Sequence, residues 1–169
     1  DFNNLYIPAP LGPYAQVSVY WDDLKGMKTG EDSLGSYFNN MRLITWHDTV
    51  SNKFYVEWND AYNNYNIDLL QNASLEKFQL ILIPRNNDDG DLIFQYHTVD
   101  NPAVTNNYST VGIENHLQNG GLLYSYANIY PVTAHPLEAG LAIKFTTVPP
   151  DNYTANEDDC NVPVPVSLK

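Results

Sequence analysis

Residues 77–96, KFQLILIPRNNDDGDLIFQY, hold two apolar strand-like runs on either side of a reversal made of Asn, Asp and Gly. No other stretch constrains the chain so strongly. In an extended backbone, Phe78, Leu80 and Leu82 share one face and Gln79, Ile81 and Ile83 the other. Pro84 has no N–H to give a ladder, so it closes the first strand. Asn86, Asn87, Asp88, Asp89 and Gly90 tolerate positive φ, and the Asn and Asp side chains bond their own backbone. The return strand is expected over residues 92–96, which are rich in β-branched and aromatic side chains. A β-hairpin follows, and it sets the fold class.

The rest of the chain reads the same way. Residues 15–21 alternate, with Ala15, Val17, Val19 and Trp21 on one face and Gln16, Ser18 and Tyr20 on the other. Further strands are expected over 41–46, 53–58, 110–113, 122–126 and 141–147. In 53–58, Phe54, Val56 and Trp58 face inward while Tyr55 and Glu57 face outward. Residues 1–13, with Pro8, Pro10, Gly12 and Pro13, read as an extended leading segment ending in a turn. Residues 22–36 and 59–72 read as loops, and 118–121 as a turn. Eight or nine short strands with no amphipathic helix indicate an all-β, antiparallel β-sandwich of jelly-roll-like type. One module over residues 1–147 is expected, followed by a Pro-rich acidic tail or linker over 148–169.

Composition agrees. The chain has 13 Tyr, 6 Phe and 3 Trp, the side chains that favour strands. Its net charge of −12 repels phosphate, so nucleic acid and anionic membrane surfaces are poor partners. No run of 18 apolar residues occurs, so no helical membrane insertion is expected. The single cysteine, Cys160, makes an intrachain disulfide impossible and leaves a free thiol or a bond to another polypeptide. The opening Asp1-Phe2-Asn3, with neither Met nor a leader, reads as a processed or cut end. Three N-x-S/T sequons, at Asn72, Asn107 and Asn152, are no more than so Asn-rich a chain supplies by chance.

Candidate chemistry is sparse. Asn86, Asp88, Asp89 and Asp91 offer closely spaced hard oxygen ligands of the kind calcium takes, without the full EF-hand pattern. The plain alternative is a hairpin turn. Asp22 and Asp23 with Glu31 and Asp32 form a second acidic group, which reads equally as a solvated loop. Tyr62 and Tyr65, with Asn63 and Asn64, are expected on a loop able to stack on sugars and bond their hydroxyls. Tyr124, Tyr126 and Tyr130 form a second cluster, and in both clusters the tyrosines also suit the rim of a core. Glu57 and Asp60 flank Trp58 as a glycoside-hydrolysing pair would, but sequence fixes no separation between them. Cys160 stands among prolines and acidic residues, a setting that disfavours a thiolate. His47, His97, His116 and His135 share no ligand spacing, and G-x-S-x-G, Walker and G-x-G-x-x-G motifs are absent.

Five phrases, in order, carry a family likeness. They are Ile7-Pro8-Ala9-Pro10-Leu11-Gly12-Pro13, Tyr20-Trp21-Asp22-Asp23-Leu24, Phe54-Tyr55-Val56-Glu57-Trp58-Asn59, Asp89-Gly90-Asp91-Leu92-Ile93-Phe94-Gln95-Tyr96 and Thr110-Val111-Gly112-Ile113-Glu114-Asn115. Together they resemble the nidogen-type extracellular β-sandwich domain. They are also similar to modules of large bacterial surface proteins exported by the type IX system, some carrying gingipain-type cysteine peptidase domains. The resemblance implies a secreted or cell-surface location and a non-catalytic structural, adhesive or assembly role; no cofactor is expected beyond calcium at the acidic turn. In the family pattern, strands of the type LPFxFPFYGxxY precede the proline-rich phrase, and none stands before Asp1. The sandwich is therefore expected to lack its N-terminal strands and to take them from a protein partner or a preceding segment. Two other roles stay open: a calcium-assisted carbohydrate-binding module with a glycan partner, and a cleaved accessory segment of a gingipain-type peptidase precursor.

Overall fold

The structure, a computed structural model of the 169-residue chain, describes residues 4–26, 28–31, 33–34, 37–63, 75–86, 88–100 and 109–148. The strands run in the order β1 (Val17–Trp21), β2 (Leu24–Lys25), β3 (Lys28–Glu31), β4 (Tyr37–Asn39), β5 (Arg42–Asp48), β6 (Lys53–Asn63), β7 (Glu76–Pro84), β8 (Gly90–Thr98), β9 (Thr110–Glu114), β10 (Gly121–Tyr126) and β11 (Ala142–Phe145). A 3-stranded sheet, β1-β9-β10, packs against a 6-stranded sheet, β11-β8-β7-β6-β2 with β5 also on β6. All named pairings in both are antiparallel. The protein is a β-sandwich, as its sequence indicates.

The hairpin of residues 77–96 lies at the centre of the large sheet. Phe78 faces Tyr96, Leu80 faces Phe94 and Leu82 faces Leu92. The first two rows, with Val19, Tyr20, Val111 and Ile143, make the buried core. Burying each such side chain contributes roughly 1.5–3 kcal/mol. The Tyr96 hydroxyl donates to the Val19 carbonyl at 2.6 Å and so links β8 to β1 across the core. Burial there pushes the phenol pKa well above its usual 10.0.

Three readings need correction. β1 does not alternate: Val19 and Tyr20 are both buried, because the register against β9 slips between Ser18 and Trp21. A bulge turns two neighbours the same way, so Tyr20 joins the core and packs on Phe78 with ring centroids 5.5 Å apart. The stretch 22–36 is not all loop, since it supplies β2, β3 and, with β4, a separate 2-stranded sheet. These strands are too short and polar to show a period of two. Last, β6 continues past Trp58 to Asn63 instead of opening into loop. Asp60 takes a left-handed φ of 59°, the register against β7 slips between Trp58 and Ala61, and the strand resumes. Asp tolerates that conformation through local hydrogen bonding, which is why the site looks like a turn in sequence.

The leading segment is a strap. Thr110 donates its hydroxyl to the Leu5 carbonyl at 2.9 Å, and the Ala9 N–H donates to the Glu114 carboxylate at 3.0 Å. Between them, Ile7 is buried against β9 and β10. Val111 and Ile113 of β9 point into the sandwich, so the strap covers the outer face of that strand. Glycines make room for it. A Cβ on Gly121 would stand 2.7 Å from Ile7 Cγ2 and 2.6 Å from the Ile113 carbonyl oxygen.

Candidate functional site

β5 is built as a sandwich strand but is left exposed, with only Asp48 of its seven residues partly covered. Its residues pair with β6 over the whole length, from Arg42 opposite Asn59 to Asp48 opposite Lys53. The turn between them is well made. The Asp48 carboxylate accepts the Ser51 hydroxyl and, at 3.0 Å, the Val50 N–H, and these bonds, Ser51 leading, hold its pKa below the usual carboxylate range. Asn52 supplies the positive φ. In the register, Leu43 stands beside Trp58, Thr45 beside Val56 and His47 beside Phe54, which is the inward face of β6. Trp58 stacks on Phe78 at 5.2 Å and belongs to the core margin. Leu43, one strand further out, is 61% exposed.

The outward face of β5 is open too. Ile44 is 47% and Trp46 58% exposed. Among the described residues β5 pairs with β6 and with no further strand. In an edge strand, alternate residues turn N–H and C=O away from the neighbour. Proteins usually protect such edges with Lys, Pro or a bulge. Residues 43–47, Leu-Ile-Thr-Trp-His, contain none of these.

A second feature lies where the two sheets meet, near a cleft of about 550 Å³ lined by Trp21, Asp22, Asp23, Leu24, Trp58 and Phe78 among others. Glu76 opens β7 and is fully buried opposite Ala61. Both of its oxygens accept the Asp100 N–H, at 3.1 and 2.9 Å. Burial raises its pKa to about 8; the Asp100 N–H pulls the other way, while the charges of Asp100 and Asp22 add to the rise. Asp22, just after β1, is pushed up to about 7 by burial, against a bond from the Asp23 N–H at 2.7 Å. Through the Asp100 N–H, Glu76 ties the start of β7 to the segment that follows β8. No motif marks Glu76 in the sequence; its one signal is that it shares the phase of Phe78 and Leu80.

The acidic hairpin turn is stitched to its own cations. The Asp89 carboxylate accepts from the Thr147 hydroxyl at 2.6 Å and from Arg85 at 3.0 Å, and Asp91 pairs with Lys144 at 2.9 Å and Arg85 at 3.0 Å. These partners hold both carboxylates below their usual range, Thr147 leading for Asp89 and Lys144 for Asp91. Asn86 and Asp88 are exposed, and Asp88 carries a φ of 56°. Among the described residues no group of three or more His, Cys, Asp or Glu is arranged to hold a metal ion.

Other expected residues are dispersed. Tyr62 is half-buried in β6, opposite Lys25, rather than on a loop, and Asn63 lies opposite Leu24. Asn64, Tyr65, Asp32, Asn87, Cys160 and the three sequon asparagines lie outside the described residues. Glu57 points to the outer face of the large sheet, and Asp60 pairs with Lys77 at 3.2 Å. Tyr124 and Tyr130 meet edge to face at 6.2 Å, and Tyr124 donates to the His135 carbonyl at 2.6 Å. Tyr126 meets Tyr6 of the strap at 5.6 Å.

Comparison with protein-family models, with curated proteins and with solved structures finds no match for this chain.

Proposed function

We propose that this chain is a non-catalytic, extracellular β-sandwich module with an adhesive or assembly role, working by strand addition at β5. The observation that carries this reading is β5 itself: a seven-residue strand, regular in its pairing, with both faces open and, among the described residues, one edge without a neighbouring strand. An extended segment laid along that edge bonds its backbone to β5 and places alternate side chains over Leu43. The segment comes from a partner protein or from a preceding part of the same polypeptide. The five ordered phrases that resemble the nidogen-type domain support the same reading, because the resemblance implies a non-catalytic adhesive or architectural module. They also support a secreted or cell-surface location in a bacterium.

Light scattering over a range of concentrations tests it. The purified chain is expected to self-associate, because a vacant edge pairs with another vacant edge. Thr45→Lys, which sets a charge at the middle of β5, is expected to suppress association and leave the melting transition in place. A chain that stays monomeric at high concentration, unfolds cooperatively and does not aggregate ends the proposal.

A further inference from the structure

The outer face of the large sheet carries two parallel rows of unlike chemistry. Ladder pairing sets Glu57, Gln79, Gln95 and Ala142 side by side on β6, β7, β8 and β11. Two residues further along the same strands, on the same face, stand Tyr55, Ile81 and Ile93, with Trp46 next to Tyr55 on β5. The first row floors a groove of about 490 Å³, which Asn59, Lys77 and His97 also line and residues 140–142 bound. The second row runs beside the groove, outside the residues that line it, and ends at Lys144 opposite Ile93 on β11. At its other end Trp46 and Tyr55 stack with ring centroids 5.1 Å apart and planes within 24°. One face of the indole rests on Tyr55, and the side chain is more than half exposed.

We propose that this groove binds a neutral oligosaccharide, laid obliquely across the strands so that it leaves the groove beside Glu57 with one sugar ring on Trp46, diagonal to Glu57 on the neighbouring strand. The polar row suits hydroxyls, which both donate and accept. Gln79 donates to the Gln95 carbonyl oxygen, so the Gln79 oxygen is left to accept and the Gln95 amide to donate. Glu57 accepts only. Successive strands lie about 4.8 Å apart, close to the repeat of a pyranose chain, so each polar side chain meets its own sugar unit. An exposed indole face takes the C–H side of a ring. Charge selects the neutral class. Lys77 is compensated by Asp60 at 3.2 Å and Lys144 by Asp91 at 2.9 Å, Glu57 lies in the groove, and the whole chain carries −12. Uronate or sulfate groups would be repelled. This site is separate from the Tyr62 and Tyr65 reading of the sequence and does not depend on strand addition at the edge of β5.

The test is titration of the full chain carrying Thr45→Lys, which keeps self-association apart from binding. The probes are hexasaccharides of glucose, mannose, galactose and xylose, with a uronate hexasaccharide for comparison, followed by calorimetry and tryptophan fluorescence. At least one neutral chain is expected to bind and perturb the fluorescence. Gln79→Ala and Trp46→Ala should each weaken it tenfold or more, Trp46→Tyr should restore most of the loss, and Tyr62→Ala should change nothing. Unaltered far-ultraviolet spectra and melting temperatures show that the variants are folded. Binding of none of the neutral chains, preference for the uronate, or full affinity in both the Gln79→Ala and Trp46→Ala variants overturns the proposal. So does loss of binding in Tyr62→Ala alone.

Discussion

The strand β9 and the strand β5 are made of similar material and treated in opposite ways. β9 has the core on one face and the strap of residues 4–12 on the other, and it has a strand on either side. β5 has solvent on both faces and a strand on one side. Hydrophobicity does not explain the contrast, since Leu43, Ile44 and Trp46 are as apolar as Val111 and Ile113. What differs is closure. Around β9, glycine takes the place of side chains, so that Ile7 packs directly on the sheet. Nothing among the described residues does the same for β5. A small sheet of three strands is too narrow to cover a large one of six, and the surplus falls on one margin.

The largest effect should come from opening the covered region. Ile7→Ala removes a fully buried side chain and is expected to cost about 3 kcal/mol in urea unfolding. Leu43→Ala, an apolar truncation of similar size on the bare strand, should stay within about 0.5 kcal/mol. Equal losses would show that the two regions do not differ. Next, Gly121→Ala places a Cβ against Ile7 and the Ile113 carbonyl, and overpacking of this kind costs about 2 kcal/mol. A neutral result there would mean that the strap is loosely held.

Glu76 at the start of β7 and Asp22 just after β1 tie the stability of the sandwich to pH. Both carboxyl pKa values rise on folding, to about 8 and about 7 from 4.5 and 3.8. The native state therefore holds protons that the unfolded chain releases. That contribution is complete below the unfolded values and is lost as pH climbs through the folded ones, so stability should fall between about pH 4 and pH 8. Glu76→Gln should be near neutral at pH 5 and stabilising by about 1–2 kcal/mol at pH 8.5. Denaturant melts at the two pH values measure the difference. The smallest effect on stability, a few tenths of a kcal/mol, is expected for Thr45→Lys, whose readout is the loss of self-association.

The sequence discloses the parts of this fold that repeat a period and hides the parts that break one. The hairpin is legible to within about two residues at each end, because Phe78, Leu80 and Leu82 alternate cleanly and Pro84 stops them. β1 is legible as a strand but not in its facing, since the bulge that brings Tyr20 beside Val19 leaves no mark in composition. β2, β3 and β4 are invisible for want of length. The nakedness of β5 is not written in β5 at all. Residues 42–48 look like any buried strand, and only the width of the opposite sheet, a property of the whole chain, leaves them bare. The outer groove is hardly legible: sequence sets Gln79 on the face opposite Phe78 and Leu80, but it does not place Gln79, Gln95 and Glu57 in one row.

The bulge at Asp60 has a consequence for how the molecule tolerates change in length. It lets β6 serve two partners in tandem along a single side, β5 up to Asn59 and β2 at Tyr62 and Asn63. Deleting that one residue would shift the remainder of the strand by half a period. Ala61 would leave its place opposite Glu76, and Tyr62 would turn into the sandwich. Additional residues at 49–52, by contrast, would only lengthen a surface turn. Insertions and deletions in this protein are thus governed by phase, and a single aspartate keeps the two halves of β6 in step.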